Sequence, residues 1–401
     1  MGDNGAMAQK LSPVSAVRNV RPWGGELSDI LIDGATISQV VAASGAPIGD
    51  GEIDGRGLLA IPGIVNTHAH IDKSWWGLPW QSYGGVRSTD GRIQHERAHR
   101  DELGIPSVEL TSRVLAEFVK HGTTAIRSHV DVDLGLGQRG IEAVREAVAA
   151  YEGGIACEIV AFPQDGVLRR PGVLELLADA AKAGAEHIGG LDPAGIDKDP
   201  VGQIDAIFAL AADHGVGIDI HLHDGGSLGA FQFDLIIDRT QKLGLQGRVN
   251  IAHGFAIVDA DDARRHDLLQ QMGELGISMT TVAPLRMKQF GLHEFADAGV
   301  RFGFGTDGIR DLWSPYGTGD TMGIAWQFAR SSGVVYDDDL RRVVELATSL
   351  GAPFAGVEKN DLTAGSRADV VLVDSENTMD VLVRTLPREV TVGGGKLLHQ
   401  R

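Results

Sequence analysis

Eight short apolar runs, each followed by a stretch with helical spacing, limit the folds open to this chain more than any other feature. The runs are 61–65, 123–128, 157–162, 187–191, 217–221, 249–253, 277–282 and 300–305. Between them apolar residues recur three and four apart, as in Leu110, Val114 and Phe118 or in Ile204, Ile207, Phe208 and Ala211, which makes one face of an amphipathic helix. Gly122, Gly184, Gly215, Gly276 and Gly299 stand where those helices end; glycine takes the left-handed turn into the next strand without steric cost. Strands joined through helices cannot pair as hairpins, so they run parallel and need cover on both faces. Eight such units in roughly 300 residues predict an α/β fold of the (β/α)8 TIM-barrel type. An open dinucleotide-binding sheet would carry Gly-x-Gly-x-x-Gly after its first strand, and here histidines follow instead.

Shorter runs broken by Gly, Pro, Asn and Asp precede the barrel at 16–20, 29–32, 36–41 and 52–54, and similar runs follow it at 368–373 and 390–396. They predict a small discontinuous β-sandwich domain of residues 1–61 and 360–401 beside a barrel of residues 62–359. The formal charge of −18 argues against nucleic acid, whose phosphates need a basic surface. No apolar stretch approaches the roughly 20 residues that span a bilayer, and residues 1–11 lack the pattern of an export signal. The single cysteine, Cys157, rules out an intramolecular disulfide framework and suits a reducing compartment. A cytoplasmic protein acting on a small molecule is expected, with no membrane and no nucleic-acid partner.

Barrel chemistry stands at the carboxy-terminal strand ends. There the chain places His68 and His70, His129 with Asp131 and Asp133, Gln164 and Asp165, Asp192, His221 with His223 and Asp224, His253, and Asp307. Residues two apart on a strand point the same way, so His68 and His70 converge from one strand as half of a metal site. His221 and Asp307 complete a set of about four ligands with a position open for water. A bridging lysine at the end of strand four would mark a two-metal centre; 187–192 contains none, so one divalent ion is expected. Imidazole with carboxylate suits zinc or iron(II), with manganese also compatible.

These residues lie in blocks that resemble the amidohydrolase superfamily, and within it the cytosine deaminase-like group. The blocks are Pro62-Gly63-Ile64-Val65-Asn66-Thr67-His68-Ala69-His70-Ile71-Asp72-Lys73, His129-Val130-Asp131-Val132-Asp133, Ala161-Phe162-Pro163-Gln164-Asp165-Gly166, His221-Leu222-His223-Asp224, Gly305-Thr306-Asp307 with Asp311-Leu312-Trp313, and Ala364-Gly365-Ser366-Arg367-Ala368-Asp369. The chain departs from cytosine deaminases at Asp224, where glutamate is usual, and at Gly308, where a second aspartate is usual. Asp72-Lys73-Ser74 and Gly189-Gly190-Leu191-Asp192-Pro193-Ala194 look more like hydrolases that remove alkylamino groups from s-triazines such as N-isopropylammelide. The resemblance implies hydrolytic deamination of an amino-substituted, pyrimidine-type N-heterocycle, with the alkylamino s-triazine reaction as the alternative and a non-catalytic nucleobase binder as a remote one. It also implies self-association.

Water on a divalent ion turns acidic enough to attack at neutral pH. On this reading Asp307 takes the water's proton and passes it to the departing amine, Asp224 protonates a ring nitrogen, and His253 orients the nucleophile. Gln164 offers both donor and acceptor to an amide-like ring edge. Lys73 is expected to contact a ring oxygen and Trp313 to stack on the ring, as can Trp75, Trp76 and Trp80. His129 and His223 are expected to orient ligands by hydrogen bonds.

Overall fold

A computed structural model describes residues 11–401; most of the amino-terminal stretch read above for export signals lies outside them. Eight parallel strands follow one another around a curled sheet: β1 (Ile64–His70), β2 (Thr123–Asp131), β3 (Ala156–Phe162), β4 (His187–Leu191), β5 (Gly217–Leu222), β6 (Val249–His253), β7 (Ser278–Thr281) and β8 (Phe302–Phe304). Past β8 the chain bends, and Asp307 and Gly308 pair with Ala69 and His70 of β1 in parallel register. The residues that close the sheet on β1 therefore include one of the expected metal ligands.

Helices pack their apolar faces on the outside. Helix Val108–Lys120 buries Leu110, Val114, Leu115, Phe118 and Val119, each apolar side chain contributing about 1.5–3 kcal/mol by leaving water. Inside the barrel, below the strand ends, lies a buried polar layer. Asp219 accepts from Arg127 Nη1 at 3.1 Å and from Asn250 Nδ2 at 2.9 Å, while Glu158 accepts from Arg127 Nη2 at 3.0 Å and faces His187 Nε2 at 2.7 Å. Among the described residues no helix is long and apolar enough to cross a membrane. Cys157 is free, and burial pushes its thiol up to about 12.

Both ends of the chain join one mixed sheet, in which Val370–Val373 pairs antiparallel with both Leu59–Pro62 and Arg388–Gly393. Val17, Ile30, Ile37, Val370, Leu372 and Val392 form its core. The run expected at 61–65 is divided: Leu59–Pro62 belongs to this sheet and Ile64–His70 to the barrel. Gly63 sits at the crossing, where a Cβ would overlap Thr124 Oγ1 and lie 2.8 Å from Asp369 Cβ. The chain can pass between the two sheets there only as glycine.

The connection after β1 is long. It carries helix α1 (Thr89–His99), capped by Ser88, whose side chain accepts from Gly91 N. This helix contributes Thr89 and Arg92 to the cavity at the barrel mouth.

Candidate metal centre

Alternation along β1 places His68 and His70 on the inner side of the strand end, and barrel closure brings Asp307 to them. His70 Nε2 lies 3.3 Å from His221 Nε2 and 3.3 Å from Asp307 Oδ1, and His68 Nε2 lies 3.7 Å from the same oxygen. Donors about 2.0–2.1 Å from a tetrahedral ion stand about 3.4 Å apart, so this spacing suits a divalent metal site; Asp307 groups most closely with His68 and His253, and His70 and His221 with His68 and His129. His253 and Asp307 both have left-handed backbones, with φ of 67° and 59°. Non-glycine residues adopt that region at a cost, and such strain gathers at functional sites.

A second test of fit comes from satisfaction of buried polar atoms. His68 Nδ1 and Nε2, His70 Nδ1, His129 Nδ1, His221 Nδ1, and His253 Nδ1 and Nε2 are buried without a hydrogen-bond partner. Each buried group left unmet costs about 1–3 kcal/mol. A cation there would take one nitrogen of each ring it binds, His68 Nε2 among them. Burial holds His70, His221 and His253 well below the usual imidazole range, and His129 at about 4, with neighbouring cationic groups adding to the effect. Neutral imidazoles are the ligand form.

His129 stands closer to the centre than a purely outlying role requires. It is one of four histidines, with His68, His70 and His221, whose ligand atoms all lie within 4.8 Å of one another. Its Nε2 is also 3.2 Å from Asp219 Oδ1, which ties the cluster to the polar layer below.

A cavity of about 240 Å³ opens above these residues, lined in part by His70, Lys73, Arg92, Phe162, Gln164, His221, His223, His253, Asp307, Asp311 and Trp313. Lys73, Gln164 and Trp313 thus meet on one wall. Burial disfavours the Lys73 charge, but Asp131 at 3.3 Å and Glu96 at 3.8 Å outweigh it and hold its pKa above the ordinary lysine value.

Asp224 does not join them. Its Oδ2 accepts from Gly195 N at 3.2 Å and from Gln232 Nε2 at 3.1 Å, and it is not among the lining residues. His223 is: just past the end of β5, it lines the cavity while Asp224 turns to Gly195 and Gln232. The His223 ring stacks on His253 at 4.2 Å, and its Nδ1 is 3.0 Å from Asp192 Oδ2. Burial alone would lower the His223 pKa; Asp192 overcomes it and raises the value. Trp75, Trp76 and Trp80 also depart from the stacking expectation. They pack around the Arg310 guanidinium, 4.2 Å from the Trp75 ring, away from the cavity.

Gly308 has a structural reason. A Cβ there would overlap Asp311 Oδ2, so the Asp311 carboxylate fills the space of a side chain at 308. Asp311 Oδ1 accepts from Trp313 N at 2.8 Å and Ser314 N at 2.7 Å, and burial raises its pKa to about 6. Gly308→Ala is expected to displace Asp311 and the Trp313 turn, costing about 1–3 kcal/mol of stability. A lower urea midpoint with a raised KM would show it.

Sequence reasoning missed Glu96, Arg92 and Asp311. Nothing local marks Glu96: Arg92, Gln94, His95, Glu96 and Arg97 read as a solvent-facing helix. Asp311 lies close after Asp307 in the sequence, where nothing local gives it a role.

The Amidohydrolase family model matches residues 59–396. Among solved structures, N-isopropylammelide isopropylaminohydrolase from Burkholderia multivorans ATCC 17616 is 39% identical, with a TM-score of 0.90 over 95% of this chain and 97% of that one. N-isopropylammelide isopropyl amidohydrolase of Pseudomonas sp. (strain ADP) is 28% identical over 92% of this chain and 93% of its own length. A 5-methylcytosine deaminase from Klebsiella pneumoniae is 23% identical, with a TM-score of 0.82 over 96% and 98% of the two chains, a likeness of fold.

Proposed function

This chain belongs to the amidohydrolase family, and from that premise we propose that it removes an alkylamino group from an oxo-substituted s-triazine, as N-isopropylammelide hydrolases do. The broader statement, a metal-dependent hydrolase of C–N bonds on a heterocycle, holds for the family and the buried histidine cluster together. Cytosine-type deamination, the first expectation from sequence, yields to the alternative. The observation that carries this choice is 39% identity along nearly the whole chain to an N-isopropylammelide hydrolase, and the absence of Asp224 from the cavity wall agrees with it.

In this reading His68, His70, His221 and Asp307 hold one divalent ion, zinc or iron(II) by donor type. Such an ion lowers the pKa of water toward neutrality. Asp307 turns Oδ1 toward His68 and His70, which leaves its second oxygen to take a proton and deliver it to the departing amine. His253 orients the attacking water from β6. His223, its pKa raised by Asp192, protonates a ring nitrogen in the role the sequence suggested for Asp224, and so prevents negative charge from building on the ring. Lys73 and Gln164 hold the oxo-substituted edge, and Trp313 closes over the ring face. The ring carbon gains a hydroxyl from water and loses the amine.

His223→Asn is expected to lower kcat by about 10²–10⁴-fold, while Asp224→Asn stays within a few-fold of the parent. Parallel kinetics on the two variants separate the roles, and the reverse order would restore Asp224 as the acid. The proposed reaction is tested by incubating the metal-loaded enzyme with N-isopropylammelide and with cytosine, and identifying the released amine by mass. Isopropylamine from the first, with little ammonia from the second, is expected. Ammonia from cytosine alone would overturn it, and tight binding of either ring with no amine released would favour the non-catalytic reading.

A further inference from the structure

Glu96 lies on α1, is 3% exposed, and contacts all three residues of the polar cavity wall. Its Oε2 accepts from Trp313 Nε1 and from Gln164 Nε2 at 3.4 Å, and lies 3.8 Å from Lys73 Nζ. A carboxylate only accepts, so the Gln164 amide must turn its NH2 group toward Glu96. That leaves Gln164 Oε1 as an acceptor for the cavity. Lys73, held between Glu96 and Asp131, has only donors to offer. Trp313, anchored through its indole N–H, keeps its ring 5.5 Å from Lys73 Nζ.

We propose that Glu96 is a positioning residue that sets the substrate class, selecting rings that present oxo groups beside ring N–H and rejecting rings with amino groups there. The proposal rests on the triazine reading above. With the reacting carbon at the metal centre, the other ring substituents have fixed places on this wall. An oxo group accepts from Lys73 while the neighbouring ring N–H donates to Gln164 Oε1. An amino group would instead point N–H donors at an ammonium, leaving buried donors unmet, and sites built on such pairing reject the mismatched analogue strongly.

The test uses three s-triazines that share an isopropylamino group and carry two, one or no oxo groups on the ring carbons, with amino groups at the remaining positions. Binding is measured by calorimetry and amine release by mass, for the parent and for Glu96→Gln. The neutral amide of the variant can donate as well as accept, so Gln164 is free to turn over and Lys73 loses one of the two carboxylates within 4 Å of its Nζ. The parent is expected to bind the dioxo ring best. Glu96→Gln is expected to shrink that preference by about tenfold or more, with metal content and Tm held. A structural role alone would weaken all three ligands together and leave their ratio intact.

An unchanged ratio in Glu96→Gln, or a parent that does not discriminate, overturns the proposal. Should Glu96→Gln fail to fold, Gln164→Met decides: loss of the dioxo preference supports the acceptor assigned to Gln164, and its retention overturns it. A parent that prefers the dioxo ring in calorimetry yet releases no amine leaves the wall as proposed and sinks the reaction instead.

Discussion

Replacing His68 and His70 together by alanine is expected to abolish metal binding and turnover in one step. These two side chains supply two of four proposed ligands from adjacent inner positions of one strand, and His221 with Asp307 alone cannot complete a tetrahedral site. Elemental analysis should fall from close to one transition-metal ion per chain to a negligible level, and a circular dichroism spectrum should confirm that the barrel is retained. Turnover surviving in the double variant would remove the metal centre from the account. Acid should act in the same direction. Imidazoles of the unfolded chain bind protons near pH 6.5, whereas burial delays this to about 4 at His129. The unfolded state therefore binds more protons as pH falls through that window, and native stability is lost there.

Asp307→Asn is expected to cost about 10²–10⁴-fold in kcat with little change in KM. Asparagine suits the test because it tolerates the left-handed backbone that Asp307 adopts, with φ of 59°, and can still turn an oxygen toward His68 and His70. It removes the group that accepts and returns a proton. Steady-state kinetics with metal analysis on the same preparation separate the two roles. Near-parental kcat would mean that the proton travels by another route, with His253 and His223 the candidates on the cavity wall.

The contrast between Asp224 and His223 shows where local reading reached and where it stopped. Strand alternation puts His68 and His70 on one side of β1, whereas His223 and Asp224 lie just past the end of β5, where that rule no longer holds, and there His223 lines the cavity and Asp224 does not. The resemblance to deaminases drew attention to the acid three residues after His221, and the structure sets that acid against Gly195 and Gln232. Gly308 is similar: its difference from cytosine deaminases was visible, but the carboxylate that fills its space comes from Asp311 on the following turn.

The order of strands and helices, the paired histidines and the polar strand ends depend on periods of two and about 3.6 residues, and the sequence by itself determined them. Barrel closure brings Asp307 to β1 from more than two hundred positions away, and only the tertiary structure decided that neighbourhood. It likewise folded a polar helix inward over the mouth, so that Glu96 meets Lys73, Gln164 and Trp313. Burial of a charged side chain depends on partners distant along the chain, and no local pattern of residues records who those partners will be.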